Sequence, residues 1–215
     1  MSKVHWQQLL LSGCSPKTLL SGSVLLVVAG GRLAHALPVL LALVWVFVLS
    51  SLAGFFASRF FPKSGGGRPF LSLFLASFFA GAFLLLLWMA FPLVALQVFF
   101  PVAFVPVLYM ISGIGQSGEG GRGDLIPELW TSLAAALPPG ICTVLLALIR
   151  EPAGLGSLSL PGGAHGLLLF YPFGPDAPAP LRLLAGSAGA LFLCGYLLAL
   201  FRHFREKFRK EGNDD

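Results

Sequence analysis

Fifty consecutive residues, Pro69 to Gly118, contain no Asp, Glu, Lys or Arg. A helix rises ~1.5 Å per residue and the hydrocarbon core of a bilayer is ~30 Å thick, so about 20 residues suffice for one crossing. The run therefore predicts two crossings joined by a tight turn near Pro92. A soluble domain of 215 residues has no core able to bury it. The chain is expected to live in a membrane. Only 11% of its residues are charged, against roughly 25% in ordinary globular domains. The net charge of +5 does not point to nucleic acid, because five of the fourteen basic residues sit in the last fourteen positions. A basic tail on an apolar chain fits a cytoplasmic membrane surface.

The remaining spans read off between charges. Leu33–Ser58 is uncharged for 26 residues, Leu129–Ile149 for 21 and Leu183–Phe201 for 19. Thr18–Gly31 offers only 14, so a first crossing requires a broken half-helix entering through Leu9–Pro16 or a snorkelling Lys17. The expectation is an all-α polytopic membrane protein with six spans, at about 9–31, 34–58, 70–91, 93–113, 129–149 and 182–202, and a basic tail at 203–215. One face then holds Lys3, Lys17, Arg59, Lys63, Arg68, Arg122 and the five tail cations; the other keeps Arg32, Arg150 and Arg182. Eleven against three places both termini in the cytoplasm. The outer connection Pro152–Leu181 carries six prolines and an apolar patch, Leu167–Tyr171. The patch is too short to span, which leaves it to dip into the interface or to pack on a partner.

Several motifs fail on their context. Leu11-Ser12-Gly13-Cys14 has the form of a lipoprotein cleavage site but lacks the apolar segment that must precede one. Gly113–Gly118 spells G-x-G-x-x-G after a membrane helix, not after a strand in a βαβ unit. His5, His35, His165 and His203 show no ligand spacing. No acid falls inside any expected span, which disfavours a carboxylate proton relay. Cys142 and Cys194 read as packing residues. Cys14 stands apart because Gly13 and Pro16 interrupt its segment, and Pro101 and Pro106 interrupt the fourth. Interruptions at matching places in two halves point to a mid-membrane site, and two sets of three spans put these at spans one and four. The expected architecture is accordingly two inverted three-helix repeats with broken helices one and four.

Three segments together carry a resemblance. Ile149-Arg150-Glu151-Pro152-Ala153-Gly154-Leu155-Gly156-Ser157-Leu158 resembles L-R-E-I-I-G-N-G-T-L, Leu9–Pro16 resembles L-L-G-L-C-P, and Phe99-Phe100-Pro101-Val102 resembles F-I-P-L. These belong to the paired integral-membrane subunits of the Rnf and Nqr electron-transport complexes, and the likeness runs to the RnfE and NqrD type. It follows chain order over the whole sequence. The resemblance implies a bacterial inner-membrane subunit that pairs with an inverted paralogue of the RnfA or NqrE type within an ion-translocating complex. It also implies a shared two-iron, two-sulfur cluster held by cysteines of spans one and four, which makes Cys14 the candidate iron–sulfur ligand. The second family cysteine, expected at Val107 to Tyr109, is absent, and no cysteine occurs between Cys14 and Cys142. The alternative expectation is a divergent member without a redox centre, acting as a small transporter or membrane scaffold. In either case the chain is expected to be at most a non-catalytic subunit.

Overall fold

The computed structural model describes residues 30–60, 68–112, 125–162, 167–171 and 181–186, together with 188–193, 195–196, 199 and 203. Four long helices dominate it: α1 (Leu33–Phe60), α2 (Arg68–Ala90), α3 (Pro92–Ile111) and α4 (Leu125–Leu155). A short antiparallel hairpin follows, β1 (Leu158–Pro161) and β2 (Leu167–Phe170), and then a 3-10 turn, Arg182–Ala185. Among the described residues, four helices are long and apolar enough to cross a membrane: Leu33–Ala57, Phe70–Ala90, Pro92–Ile111 and Leu125–Leu155. In hydrocarbon the backbone can satisfy its polar groups only within a helix or a closed barrel. Runs of Leu, Phe and Ala apolar on all sides meet that demand as helices.

Only Phe91 separates α2 from α3. Its N–H still bonds the Leu87 carbonyl at 2.7 Å, and its own carbonyl takes the Ala95 N–H at 2.9 Å. Pro92 opens α3, where its missing N–H is no loss. Phe91 itself leaves the helical region (φ −144°, ψ 79°) and α2 packs on α3, so the chain turns back here, next to Pro92 where a tight turn is expected.

Helix α1 is the hub and packs on each of the other three. Its Val39, Ala42, Leu43, Val46 and Phe47 meet Ala76 and Ala80 of α2, Val94, Val98, Val102 and Val105 of α3, and Ala135 and Ala136 of α4. Small residues at these contacts let backbones approach where no aqueous hydrophobic force drives association. Gly140 of α4 lies under Leu40 and Leu43 of α1 for the same reason. The opposite faces carry exposed Phe70, Phe74, Phe78 and Met89 on α2 and Leu93, Leu96, Phe99 and Phe100 on α3, the surface a bilayer covers.

Four features differ from the sequence expectation. The described residues are mostly helical, as expected, but Leu167–Phe170 pairs with Leu158–Pro161 in a short hairpin that the expectation lacked. Alternation gives no warning of it, since apolar residues occupy both faces of the second strand. Helix four of the expected set is not broken: α3 continues through Pro101 and Pro106. Each proline removes one i→i−4 bond, but both rings are buried among packed neighbours that hold the helix. Helix α4 runs on past Ile149 and takes Arg150 and Glu151 into its final turns. The segment expected to span 182–202 begins instead with the 3-10 turn, becomes extended at Gly186 (φ −75°, ψ 164°) and is helical again from 188. The expected first span, with its half-helix, lies outside the described residues.

Candidate functional site: a buried arginine–glutamate clasp

At the end of the bundle where α1 begins and α4 finishes, two adjacent charged residues are buried. Arg150 is 6% exposed and Glu151 not at all. Such groups are rarely inside unless something holds them. Neighbours on a helix diverge by about 100°, and these two engage different segments.

Glu151 reaches back to α1. Its Oε2 accepts the Leu33 N–H at 2.7 Å. Leu33 is the first residue of α1, so its N–H is one of the four with no partner inside that helix. The next, on Ala34, donates to the Ser159 Oγ of β1 at the longer distance of 3.4 Å. A carboxylate here also sits at the positive end of the α1 dipole. The α1 sequence supplies no cap of its own, since Arg32 precedes it. Its cap comes from more than a hundred residues away.

Arg150 turns the other way. Its Nε donates to the Leu184 carbonyl at 2.7 Å, and its Nη2 donates to those of Ala185 and Gly186 at 2.7 and 3.1 Å. These oxygens lie at the C-terminal end of the 3-10 turn, where a cation is favoured and a planar fork of donors fits best.

The glycines of the same segment have their own duties. A Cβ on Gly154 would lie 2.7 Å from the Ala185 backbone nitrogen, so α4 and the 3-10 segment touch backbone to backbone. The Leu181 N–H also bonds the Ala153 carbonyl at 2.9 Å. Gly156 has φ 70° and ends α4 in the left-handed region, while its N–H bonds the Pro152 carbonyl. Arg150, Glu151, Gly154 and Ser159 thus bind together the start of α1, the end of α4, the hairpin and the segment after it. One atom is left over: Glu151 Oε1 is buried without a hydrogen-bond partner. Beside the clasp, the half-buried His35 of α1 hydrogen-bonds the Gln97 side chain of α3 through Nε2.

The candidate ligand Cys14 lies outside the described residues, as do Cys194 and Gly113–Gly118. Cys142 is buried within α4. Where the resemblance puts a second cysteine, Val107 is partly exposed while Tyr109 turns into the core, edge-on to Phe47 with ring centroids 5.2 Å apart. Ser112 donates its hydroxyl to the Tyr109 carbonyl at 2.6 Å. Among the described residues no group of three or more His, Cys, Asp or Glu is placed to hold a metal ion. Sequence reasoning treated Arg150 as a charge flanking a span and missed that it and Glu151 are interior. The available signal was the adjacent Arg-Glu pair followed by two glycines within five residues.

No protein-family model matches the chain, and no curated protein matches it.

Proposed function

We propose that this chain is an integral-membrane subunit of an Rnf/Nqr-type ion-translocating electron-transport complex, helping to relay electrons across the bacterial inner membrane beside a paralogous membrane subunit. The observation that carries the reading is the clasp. The segment with the strongest resemblance, Arg150 to Ser157, is also where the chain buries its charges and brings separate segments together. The resemblance therefore falls on residues with demanding geometric duties, which apolar composition alone does not reproduce. The four apolar helices are consistent with the multi-pass architecture this role requires.

A second reading is a member of the same architecture without a redox centre, serving as a small transporter or scaffold. It is favoured by the stretch around Val107, which has no cysteine and whose Tyr109 and Ser112 are engaged with the protein itself. Gene neighbourhood separates the two. Adjacent genes for flavoprotein and iron–sulfur subunits support the redox complex, and an isolated gene supports the second reading.

A further inference from the structure

The hairpin after α4 is apolar where it is exposed. Leu168 and Phe170 share one face of β2, while Leu169 and Tyr171 continue the other. Their exposures are 55%, 68%, 50% and 45%, so both faces of this strand carry exposed apolar side chains. Antiparallel strands that face water normally turn polar residues outward. Here no charged residue occurs in 158–162 or 167–171, and the Tyr171 hydroxyl is the single polar side-chain group in 167–171.

The hairpin is also level with the membrane helices. Ser159 meets Ala34 in the first turn of the Leu33–Ala57 span. Leu158 packs against the buried cluster of Leu33, Ala36 and Ala147, and Ala147 lies about one turn of α4, ~6 Å, before Glu151. Leu167 packs against the main core. The exposed Leu148, Ile149 and Leu155 lead along the end of α4 to this point, and Leu181 and Leu183 beyond the hairpin are exposed as well.

We propose that strand β2 and Tyr171 dip into the boundary between lipid headgroups and acyl chains, with phospholipid as the occupant of this surface. The inference rests on the chain's being a membrane protein and does not require the redox role. Depth is bounded from both sides. Two apolar faces exclude an aqueous loop. The outer edge of β2 pairs with no other described strand, and its N–H and C=O groups have no partner in pure hydrocarbon. At the headgroup boundary water reaches that edge while acyl chains cover the Leu and Phe side chains. An aromatic ring with a polar tip, as at Tyr171, favours the same level. A protein interface normally carries about one hydrogen bond per 100–200 Å², and 167–171 offers a single side-chain group for them, the Tyr171 hydroxyl.

The test uses the full chain in phosphatidylcholine–phosphatidylglycerol liposomes containing a phospholipid with a photoactivatable diazirine. The diazirine sits either near the acyl carbonyl or at the chain end, and adducts are mapped by mass spectrometry. The expected result is severalfold heavier labelling of 167–171 by the shallow probe than by the deep one, with Phe78 of α2 labelled by the deep probe. Labelled α2 with an unlabelled hairpin would overturn the inference while leaving the membrane reading intact. So would heavier labelling of 167–171 by the deep probe. Failure to label α2 as well would overturn both.

Discussion

Glu151 and Leu33 stand 118 residues apart in the chain, and the carboxylate of one caps the first N–H of the helix that the other begins, at 2.7 Å. The start of the central helix thus depends on the end of the fourth. Replacing Glu151 by Ala removes the cap and leaves the Leu33 amide buried without a partner. We expect a loss of about 1–3 kcal/mol, the usual range for orphaning a buried group. Glu151→Gln keeps an acceptor in place and should fall between the two. Reversible unfolding in mixed micelles measures the series, and equal losses for Ala and Gln would contradict the capping role.

Arg150→Lys should behave as a partial deletion. An ammonium has no planar fork with which to serve Leu184, Ala185 and Gly186 together. Amide hydrogen exchange across residues 181–186 should rise in Arg150→Lys and rise further in Arg150→Ala, with α2 unchanged as an internal reference. No change in that segment would show that the guanidinium does not hold it.

The glycines offer a comparison within one helix-rich chain. Gly154→Ala drives a methyl group against the Ala185 backbone at 2.7 Å, and overpacking of this kind costs typically 1–3 kcal/mol. A Cβ at Gly54 or Gly81 meets nothing within 4 Å, so Ala there should be neutral or stabilising by up to about 1 kcal/mol through helix propensity. Thermal denaturation of the three variants in one detergent checks the ranking. A Gly154→Ala protein as stable as Gly81→Ala would remove the close approach from the account.

How far the sequence could be read follows from the kind of signal each element leaves. Helices α1, α2 and α3 were legible because charges at Arg32, Arg59 and Arg68 bracket long apolar runs and Pro92 marks the turn between the last two. The end of α4 was not, since a rule that stops spans at charges stops at Arg150. Only tertiary partners such as Leu33 N–H and the Leu184 carbonyl explain why the helix continues. The hairpin was missed because strand alternation is invisible when both faces are apolar. Pro101 and Pro106 predicted a break that packing around the two rings prevents. Of the candidate site, the sequence pointed to Cys14, outside the described residues; it marked Arg150–Gly156 through the family resemblance but not through burial.

Orientation is open to direct measurement. On the six-span assignment proposed for this chain, the fourteen Lys and Arg divide eleven against three, which predicts a cytoplasmic C-terminus. A reporter fused after Asp215 should be active only if it functions in the cytoplasm. Activity restricted to the other side would remove the six-span assignment.

The cysteine content makes a narrower prediction. A two-iron, two-sulfur centre takes four ligands, and this chain carries Cys14 without a second cysteine before Cys142. The purified chain alone should bind no iron, and Cys14→Ala should leave its assembly intact. Stoichiometric iron in the purified complex that disappears on Cys14→Ala would show that a cluster persists with a different fourth ligand.

The central claim is that this chain works as one subunit of an Rnf/Nqr-type complex. Its most direct test is purification of the tagged chain from its native membranes in mild detergent, followed by mass-spectrometric identification of what accompanies it. The account predicts stoichiometric co-purification of a second multi-pass subunit of the same architecture together with flavoprotein and iron–sulfur subunits. A stable, lone monomer from the same membranes would contradict it.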